Sequence, residues 1–273
     1  MKEFQGKNIR LVSLDRGVKK IIFSRPEIKN AFHEEMIDEI IFVLENLHKI
    51  ENALELRLLI LEGEGSAFCA GADLNYMKKQ SHNNETENKK DAMRLAHMFY
   101  LMASFPTTVL SLVQGAAIGG GLGIVCCSDI VYVKNKSVFA TTEVLLGIIP
   151  AVISPYILRK INVSNASEFM LTGKKFDEET AIKYGLVQQI FIGDDFVVQQ
   201  QIEKEIENHL KAGPEAVRAT KNLILKSSPL PSLNIIQWTS EQIAKTRVNA
   251  EGQEGLQCYF TKQNPSWDVS ANS

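Results

Sequence analysis

Apolar residues are spaced along this chain in two different ways, and each spacing predicts a different kind of element. Between residues 33 and 47 they recur every three or four positions, which predicts a helix with one buried face. Elsewhere they form short continuous runs that predict buried strands: residues 9–14, 18–23, 56–61, 108–113 and 130–133. Strands that alternate with helices in this way predict an α/β fold.

From about residue 154 onward the pattern becomes mostly helical. Amphipathic stretches predict helices at residues 180–184, 196–210 and 215–226, with two more within residues 232–263. Earlier in the chain, a polar stretch at residues 78–90 predicts a loop or an exposed helix start, and residues 91–103 predict a helix. No Pro- or Ser-rich linker divides the sequence, so we expect a core over residues 1–200 and a helical region over residues 201–273.

Three consecutive glycines follow the apolar run at residues 109–113. Residues 114–123 therefore predict a tight turn into a buried helix, because glycine permits conformations and close approaches that a Cβ forbids. Such a helix start offers backbone N–H groups to a phosphate or to a thioester oxyanion. Gly119, Gly121 and Gly123 lack the spacing of a dinucleotide-binding motif, and no Walker sequence follows. Close packing of the helix on the strand remains the alternative explanation for the glycines.

Two further segments could complete an oxyanion site. Residues 66–74 follow the predicted strand at 56–61 and contain small residues where a backbone must approach a ligand. Glu143 lies among apolar residues in the segment 141–150, where desolvation would raise its pKa toward the range useful for proton transfer. Taken alone, Glu143 is better explained as a solvated acid in a loop or at a helix start.

Together these segments resemble the crotonase superfamily, the enoyl-CoA hydratase/isomerase proteins. The matching pieces keep the order and spacing of that family: Arg25-Pro26 with Asn30-Ala31, Phe68-x-Ala70-Gly71-Ala72-Asp73-Leu74, Gly115-x-x-x-Gly119-Gly120-Gly121, and Glu143 with Gly147-Ile148-Ile149-Pro150. The resemblance extends over nearly the whole chain. It implies a ClpP-like spiral of ββα units whose C-terminal helices assemble a homotrimer or a dimer of trimers.

The resemblance also implies roles for individual residues. The backbone N–H groups of Ala70 and Gly120 would stabilise the thioester oxyanion, and Glu143 would transfer the proton. The residues implied to contact the acyl-CoA substrate lie in these motifs and near the C-terminus: Ala31, Ala70, Gly71, Ala72, Asp73, Leu74, Gly120 and Lys262. Asp73 fits a helix N-cap as well as a position in the pocket. The CoA thioester is itself the substrate, so no separate cofactor is implied.

Two positions depart from the common pattern of the family. Gly123 stands twenty residues before Glu143, where the hydratases usually carry the first of two glutamates. A single glutamate is the pattern of the 3,2-enoyl-CoA isomerases. The segment 150–156 is bulkier than the usual glycine run and, with Gly123, resembles the bacterial 3-methylglutaconyl-CoA hydratase-like branch of leucine breakdown. We therefore expect an enoyl-CoA hydratase for a branched acyl group, with the isomerase and a non-catalytic acyl-CoA-binding protein as alternatives.

Composition narrows the possible partners, metal sites and location of the protein but indicates no mechanism. The 273 residues carry a net charge of −2, which gives no electrostatic reason to expect nucleic acid or an anionic membrane as a partner. The four cysteines lack metal-binding spacing, and Cys126 and Cys127 lie in an apolar run where we expect buried thiols. The first seven residues lack the apolar stretch of a signal peptide, so we expect a cytoplasmic protein.

Overall fold

The computed structural model describes residues 3–268 and has a mixed α/β architecture built on one sheet. Five strands follow the predicted apolar runs: β2 (Ile9–Ser13), β3 (Val18–Phe23), β4 (Leu58–Gly63), β5 (Thr108–Ile118) and β6 (Ile130–Ala140). Three short strands outside those runs complete the described sheet: β1 (Phe4–Gln5), β7 (Phe176–Asp177) and β8 (Gln189–Phe191). The strand order is β1-β2-β3-β4-β5-β6-β7, and β8 pairs with β6 as well. Strands β3 to β6 are parallel to one another, whereas β1, β2 and β7 pair antiparallel with their neighbours.

Both faces of the parallel strands are buried, which explains why their sequences are continuously apolar rather than alternating. Along β4, Leu59 and Leu61 point into the larger core, where the helix predicted at residues 33–47 packs. Leu58 and Ile60 point to the opposite face, against residues that include Val198. The two sets alternate because successive side chains of a strand lie on opposite faces of the sheet.

Helices cover this sheet and form most of the chain after residue 154. In chain order they are α1 (Glu34–His48), α2 (Leu74–Ser81), α3 (Glu85–Ala103), α4 (Gly120–Cys127), α5 (Ser154–Lys160), α6 (Val163–Thr172), α7 (Glu178–Lys183), α8 (Asp195–Leu210), α9 (Pro214–Ser227), α10 (Leu233–Val248) and α11 (Ala250–Thr261). The predicted C-terminal helices are thus confirmed. The division at residues 200 and 201 falls inside α8 and stays a prediction, and its outer ends include residues 1–2 and 269–273, which lie outside the described part.

Of the two alternatives predicted for residues 78–90, an exposed helix start is the one found, and only residues 82–84 lie between the two helices. Helix α2 continues to Ser81, and α3 begins at Glu85, well before the predicted start at residue 91. The side chain of Asn84 caps α3 by accepting from the Glu87 N–H at 2.9 Å, and Glu87 caps the Asn84 N–H in return. This capping box starts a helix within a polar segment without any apolar periodicity.

The glycine-rich turn is also shorter than predicted. Strand β5 continues through Ile118, and Gly119, at φ +54°, alone separates it from α4. Gly115 lies within the strand at φ +59°, and a Cβ there would be 2.0 Å from the carbonyl oxygen of Ser66. The first glycine of the segment therefore permits close contact between two backbones, and Gly119 makes the turn.

Membrane-spanning helices and clusters of metal-binding side chains are both absent from residues 3–268. No helix within residues 3–268 is long and apolar enough to cross a membrane. The same residues contain no cluster of three His, Cys, Asp or Glu side chains that could hold a metal ion. Cys126 and Cys127 are buried in α4, as predicted, and burial raises the pKa of both thiols.

Candidate active site

A cavity of about 480 Å³ lies where the segments after β4 and β5 meet helices α2, α3, α10 and α11. Its wall is mostly apolar and combines residues that are far apart in the sequence. The predicted site residues that line it are Ala70, Gly71, Ala72, Gly120 and Glu143. Parallel strands end at the same edge of a sheet, and ligand sites of α/β folds form there.

Gly120 supplies a free backbone donor at one side of the cavity. It is the first residue of α4, and the first N–H groups of a helix have no partner inside the helix. The neighbouring Gly119 N–H is occupied, because it donates to the Ala140 carbonyl at 2.8 Å. The Gly120 N–H is thus placed to receive an anionic oxygen at the positive end of the α4 dipole.

The geometry contradicts the expectation that Ala70 supplies the second donor. The Ala70 N–H already donates to the Lys29 carbonyl oxygen at 2.9 Å. Two residues later, Ala72 forms an isolated parallel bridge with Phe32, in which Gly71 and Asp73 make the hydrogen bonds at 2.9 Å. The Ala72 N–H is not used in that pairing and finds no acceptor within residues 3–268.

Ala72 therefore replaces Ala70 as the candidate donor beside Gly120. Sequence reasoning chose the wrong small residue because Ala70 and Ala72 have the same side chain and flank the same glycine. Only the hydrogen-bond partners of the backbone distinguish them. In the extended segment that pairs with Phe32, successive backbone N–H groups point to opposite sides. The Asp73 N–H therefore faces Phe32, and the Ala72 N–H faces away from it.

Glu143 begins a short 3-10 helix, Glu143–Leu146, and its carboxyl group lines the cavity. Its oxygen Oε2 is inaccessible to solvent and has no hydrogen-bond partner in the described chain. Burial raises the pKa of Glu143 from 4.5 to about 7. A Cβ added to Gly119 would lie 3.1 Å from Oε1 of Glu143, so the carboxyl group packs directly against the turn before α4. A carboxyl group with this pKa exchanges protons readily near neutral pH.

The place beside Gly123 is filled by apolar side chains rather than by a second carboxylate. A Cβ added to Gly123 would lie 2.4 Å from Cγ2 of Ile153 and 3.0 Å from Cζ of Phe99. Ile153 belongs to the bulky segment 150–156 that the sequence analysis noted. The two departures from the family pattern are therefore one structural feature, since Ile153 occupies the space that opens when residue 123 has no side chain.

The remaining predicted contact residues do not line the cavity. Asp73 is the N-cap of α2, where it accepts from the Asn75 N–H at 2.8 Å, and it pairs with Arg25 at 3.0 Å. Leu74 is mostly exposed at the start of α2, and Ala31 is buried beside the Arg25 side chain, which donates to its carbonyl at 2.5 Å. Lys262 is exposed and ends α11 in a left-handed conformation, and its contact with CoA stays a prediction.

Tyr76 and Arg247 are among the polar residues of the cavity wall that sequence reasoning missed. Tyr76 comes from α2 and Arg247 from α10, more than 170 residues later in the chain. Neither residue belongs to a motif, and Arg247 has the appearance of an ordinary basic residue in the last turn of a helix. Only the packing of α10 against α3 brings its guanidinium group to the pocket.

Comparisons with known proteins identify the family of this chain. The sequence model of the enoyl-CoA hydratase/isomerase family matches residues 13–270. A putative enoyl-CoA hydratase of Thermus thermophilus is 26% identical over 93% of this chain and 99% of its own length. Enoyl-CoA delta isomerase 2 of Homo sapiens is 28% identical over 88% of this chain, which spans 62% of that protein.

Solved structures show the same relation. The crystal structure of an enoyl-CoA hydratase from Shewanella pealeana is 38% identical, with a TM-score of 0.74 and coverage of 94% of this chain and 95% of that one. AtuE of Pseudomonas aeruginosa is 29% identical, with a TM-score of 0.75 and coverage of 96% and 99%. The chain is therefore an enzyme of the enoyl-CoA hydratase/isomerase family and has the crotonase fold.

Proposed function

We propose that this enzyme adds water across the 2,3 double bond of an enoyl-CoA thioester, with Glu143 as its single acid and base. One observation carries the proposal: the buried, unpartnered oxygen Oε2 of Glu143 lies in the same cavity as the free N–H groups of Ala72 and Gly120. The amides would hold the thioester oxygen, and Oε2 would hold the water.

The proton and electron movements can be completed by these groups alone. Ionised Glu143 takes a proton from water while the hydroxyl oxygen bonds to the β-carbon. The π electrons move to the thioester oxygen, where Ala72 and Gly120 stabilise the enolate by roughly 3 kcal/mol per donor. The carboxyl group then returns its proton to the α-carbon, the enolate becomes a thioester again, and Glu143 is ionised for the next cycle.

Relatives and the shape of the cavity support hydration of a short branched substrate. The Thermus thermophilus and Shewanella pealeana proteins are both described as enoyl-CoA hydratases. The cavity wall contains a continuous apolar segment from Ile148 to Ile153, which suits a compact branched acyl group. We therefore propose a substrate similar to 3-methylglutaconyl-CoA.

A second candidate is the isomerisation of 3-enoyl-CoA to 2-enoyl-CoA, and the surroundings of Gly123 favour it. Ile153 and Phe99 exclude a second carboxylate from the position that would share the water with Glu143. Moving a proton from the α-carbon to the γ-carbon requires only one base and the same stabilised enolate. A human relative described as an enoyl-CoA delta isomerase is consistent with this candidate.

Mass spectrometry of three CoA esters incubated with the protein separates these candidates. Crotonyl-CoA, 3-methylglutaconyl-CoA and hex-3-enoyl-CoA would be compared in the parent protein and in Glu143→Gln, which keeps the shape of the side chain. We expect a product heavier by one water, most rapidly from 3-methylglutaconyl-CoA, and none from the variant. A shifted double bond at unchanged mass would instead identify the isomerase, and turnover retained by Glu143→Gln would overturn the role of Glu143.

We also propose that the protein assembles as a homotrimer or a dimer of trimers. Helices α9 and α10 carry large apolar side chains that are more than half exposed in the single chain, among them Leu223, Leu233 and Trp238. Exposed apolar residues grouped on neighbouring helices are typical of subunit interfaces. Light scattering after size-exclusion chromatography tests this, and a monomer at micromolar concentration would contradict it.

A further inference from the structure

One wall of the active-site cavity is polar, and Asp91 lies behind it. Tyr76 and Gln80 reach the wall from α2, and Arg247 reaches it from α10. Asp91, on α3, is in contact with all three side chains. We refer to Tyr76, Gln80, Asp91 and Arg247 as the polar wall.

Asp91 uses both of its oxygens on residues other than Arg247. The Tyr76 hydroxyl donates to Oδ1 at 2.5 Å, and the Gln80 amide donates to Oδ2. Nη1 of Arg247 is 3.5 Å from Oδ2, close enough for an ionic attraction but without the geometry of a hydrogen bond. Asp91 therefore compensates the charge of Arg247 while leaving its N–H donors unused.

The guanidinium group of Arg247 makes no hydrogen bond to the described residues. Its Nη1 is inaccessible to solvent, and its side chain as a whole is only 14% exposed. Other buried atoms without a partner, such as Nε of Arg57 and Arg218, belong to side chains in which another nitrogen donates to a carbonyl oxygen. A buried guanidinium nitrogen without an acceptor, such as Nη1, is costly unless a ligand supplies one.

The position of Arg247 limits what that ligand can be. The residue lines the same cavity as Glu143, and its positive charge acts to lower the pKa of that carboxyl group. A group bound by Arg247 would therefore belong to a ligand that shares the cavity with Glu143. The other lysine or arginine of the cavity wall, Lys175, is exposed, as expected for a residue near the charged, solvated part of CoA.

We propose that Arg247 binds a carboxylate at the far end of the acyl group, so that the enzyme selects monothioesters of dicarboxylic acids over alkyl thioesters. Guanidinium and carboxylate form two parallel charge-assisted hydrogen bonds, which gives orientation as well as affinity. This inference rests on the proposed function to the extent that it places the acyl group in this cavity, and it names the residue that recognises the substrate.

Calorimetric binding of two saturated thioesters tests the inference without any chemical step. Glutaryl-CoA and valeryl-CoA have the same chain length, and only the first ends in a carboxylate. For the parent protein we expect glutaryl-CoA to bind roughly 100-fold more tightly. Arg247→Met should bring the two affinities together, and Arg247→Lys should give an intermediate ratio because lysine keeps the charge and loses the paired geometry.

Lys175→Met serves as the matched control, because it removes the other positive charge from the cavity wall. It should change both affinities by the same factor and leave their ratio intact. If Arg247→Met does not fold, the same ratio is measured in Asp91→Asn/Arg247→Met, which removes both charges together. Equal affinities in the parent protein, or an equal loss of both in the Arg247 variants, would overturn the inference. Failure of the proposed function would be seen separately, as absence of turnover of every enoyl-CoA despite retained binding.

Discussion

Two groups of buried or partly buried charges in this protein differ in how fully their hydrogen bonds are satisfied. Asp129, between α4 and β6, accepts from Lys221 Nζ at 2.5 Å and from the Val109 N–H at 2.8 Å, and its carbonyl accepts from Lys160 at 2.9 Å. In the active-site cavity, Glu143 and Arg247 each have a solvent-inaccessible polar atom with no hydrogen-bond partner in the described chain.

This difference separates charged groups that stabilise the fold from charged groups that can bind a ligand. Lys221 is 5% exposed and joins α9 to the end of α4, so its pair with Asp129 fixes two elements in position. When the hydrogen bonds of a charged group are all made within the protein, the group has no donor or acceptor left to bind a substrate. The cavity groups keep unused donors and acceptors at the cost of stability, which is common at functional sites.

Removing one member of the satisfied group gives the largest expected effect. Lys221→Met leaves the carboxylate of Asp129 without its cation, and we expect a loss of about 3 kcal/mol in the free energy of unfolding. Urea titration measures it, with the rate per folded molecule unchanged. Lys174→Met, at an exposed pair with Glu168, is the control and should change stability little. Equal effects of the two substitutions would refute the distinction between the groups.

The cavity carboxyl group should make stability depend on pH in the opposite sense to an ordinary ion-paired acid. Because folding raises the pKa of Glu143 from 4.5 to about 7, the native state holds a proton that the unfolded state releases. Its contribution is greatest below about pH 4.5 and is lost as the pH rises through about 7. Relative to Glu143→Gln, the parent protein should lose about 2 to 3 kcal/mol between about pH 5 and about pH 8. A difference that stays constant with pH would contradict the raised pKa.

The filled space beside Gly123 predicts that restoring the missing glutamate alone will fail. Gly123→Glu must displace Ile153, whose Cγ2 would lie 2.4 Å from the new Cβ, and such overpacking costs about 1 to 3 kcal/mol. Gly123→Glu with Ile153→Gly should recover stability and increase hydration of crotonyl-CoA. Thermal unfolding and initial rates measure the two effects. A single variant that is stable and faster would show that Ile153 moves aside freely.

The smallest expected effect is on the pH dependence of the reaction. Hydration requires ionised Glu143, so kcat/KM should fall about tenfold for each pH unit below about 7. The pKa of Glu143, raised to about 7 by burial, sets the pH below which kcat/KM falls, the acidic limb of the pH profile. Arg247→Met should move the limb to higher pH, because the charge of Arg247 acts to lower that pKa. A limb unchanged in this variant would mean that the two cavity charges do not interact.

Much of the fold could be predicted because its signals are local. Continuous apolar runs predicted the parallel strands, since both faces of the sheet are covered, and helical spacing predicted α1 and the C-terminal helices. The polar start of α3 was left open between a loop and a helix start, because a capping box, rather than apolar periodicity, begins that helix. Glu143 and Gly120 could be singled out because the motifs that carry the family resemblance are short and local.

The sequence by itself determined the family, the parallel strands β3 to β6 and the C-terminal helices, and it singled out Glu143 as the candidate carboxylate. Only the tertiary structure decided that the Ala70 amide is occupied and the Ala72 amide is free, because backbone hydrogen bonds depend on a neighbouring segment around Lys29 and Phe32. It also decided that Ile153 fills the space beside Gly123, and that Arg247 enters the cavity with its donors unused. These facts depend on contacts between residues far apart in the chain, which no local pattern of side chains encodes.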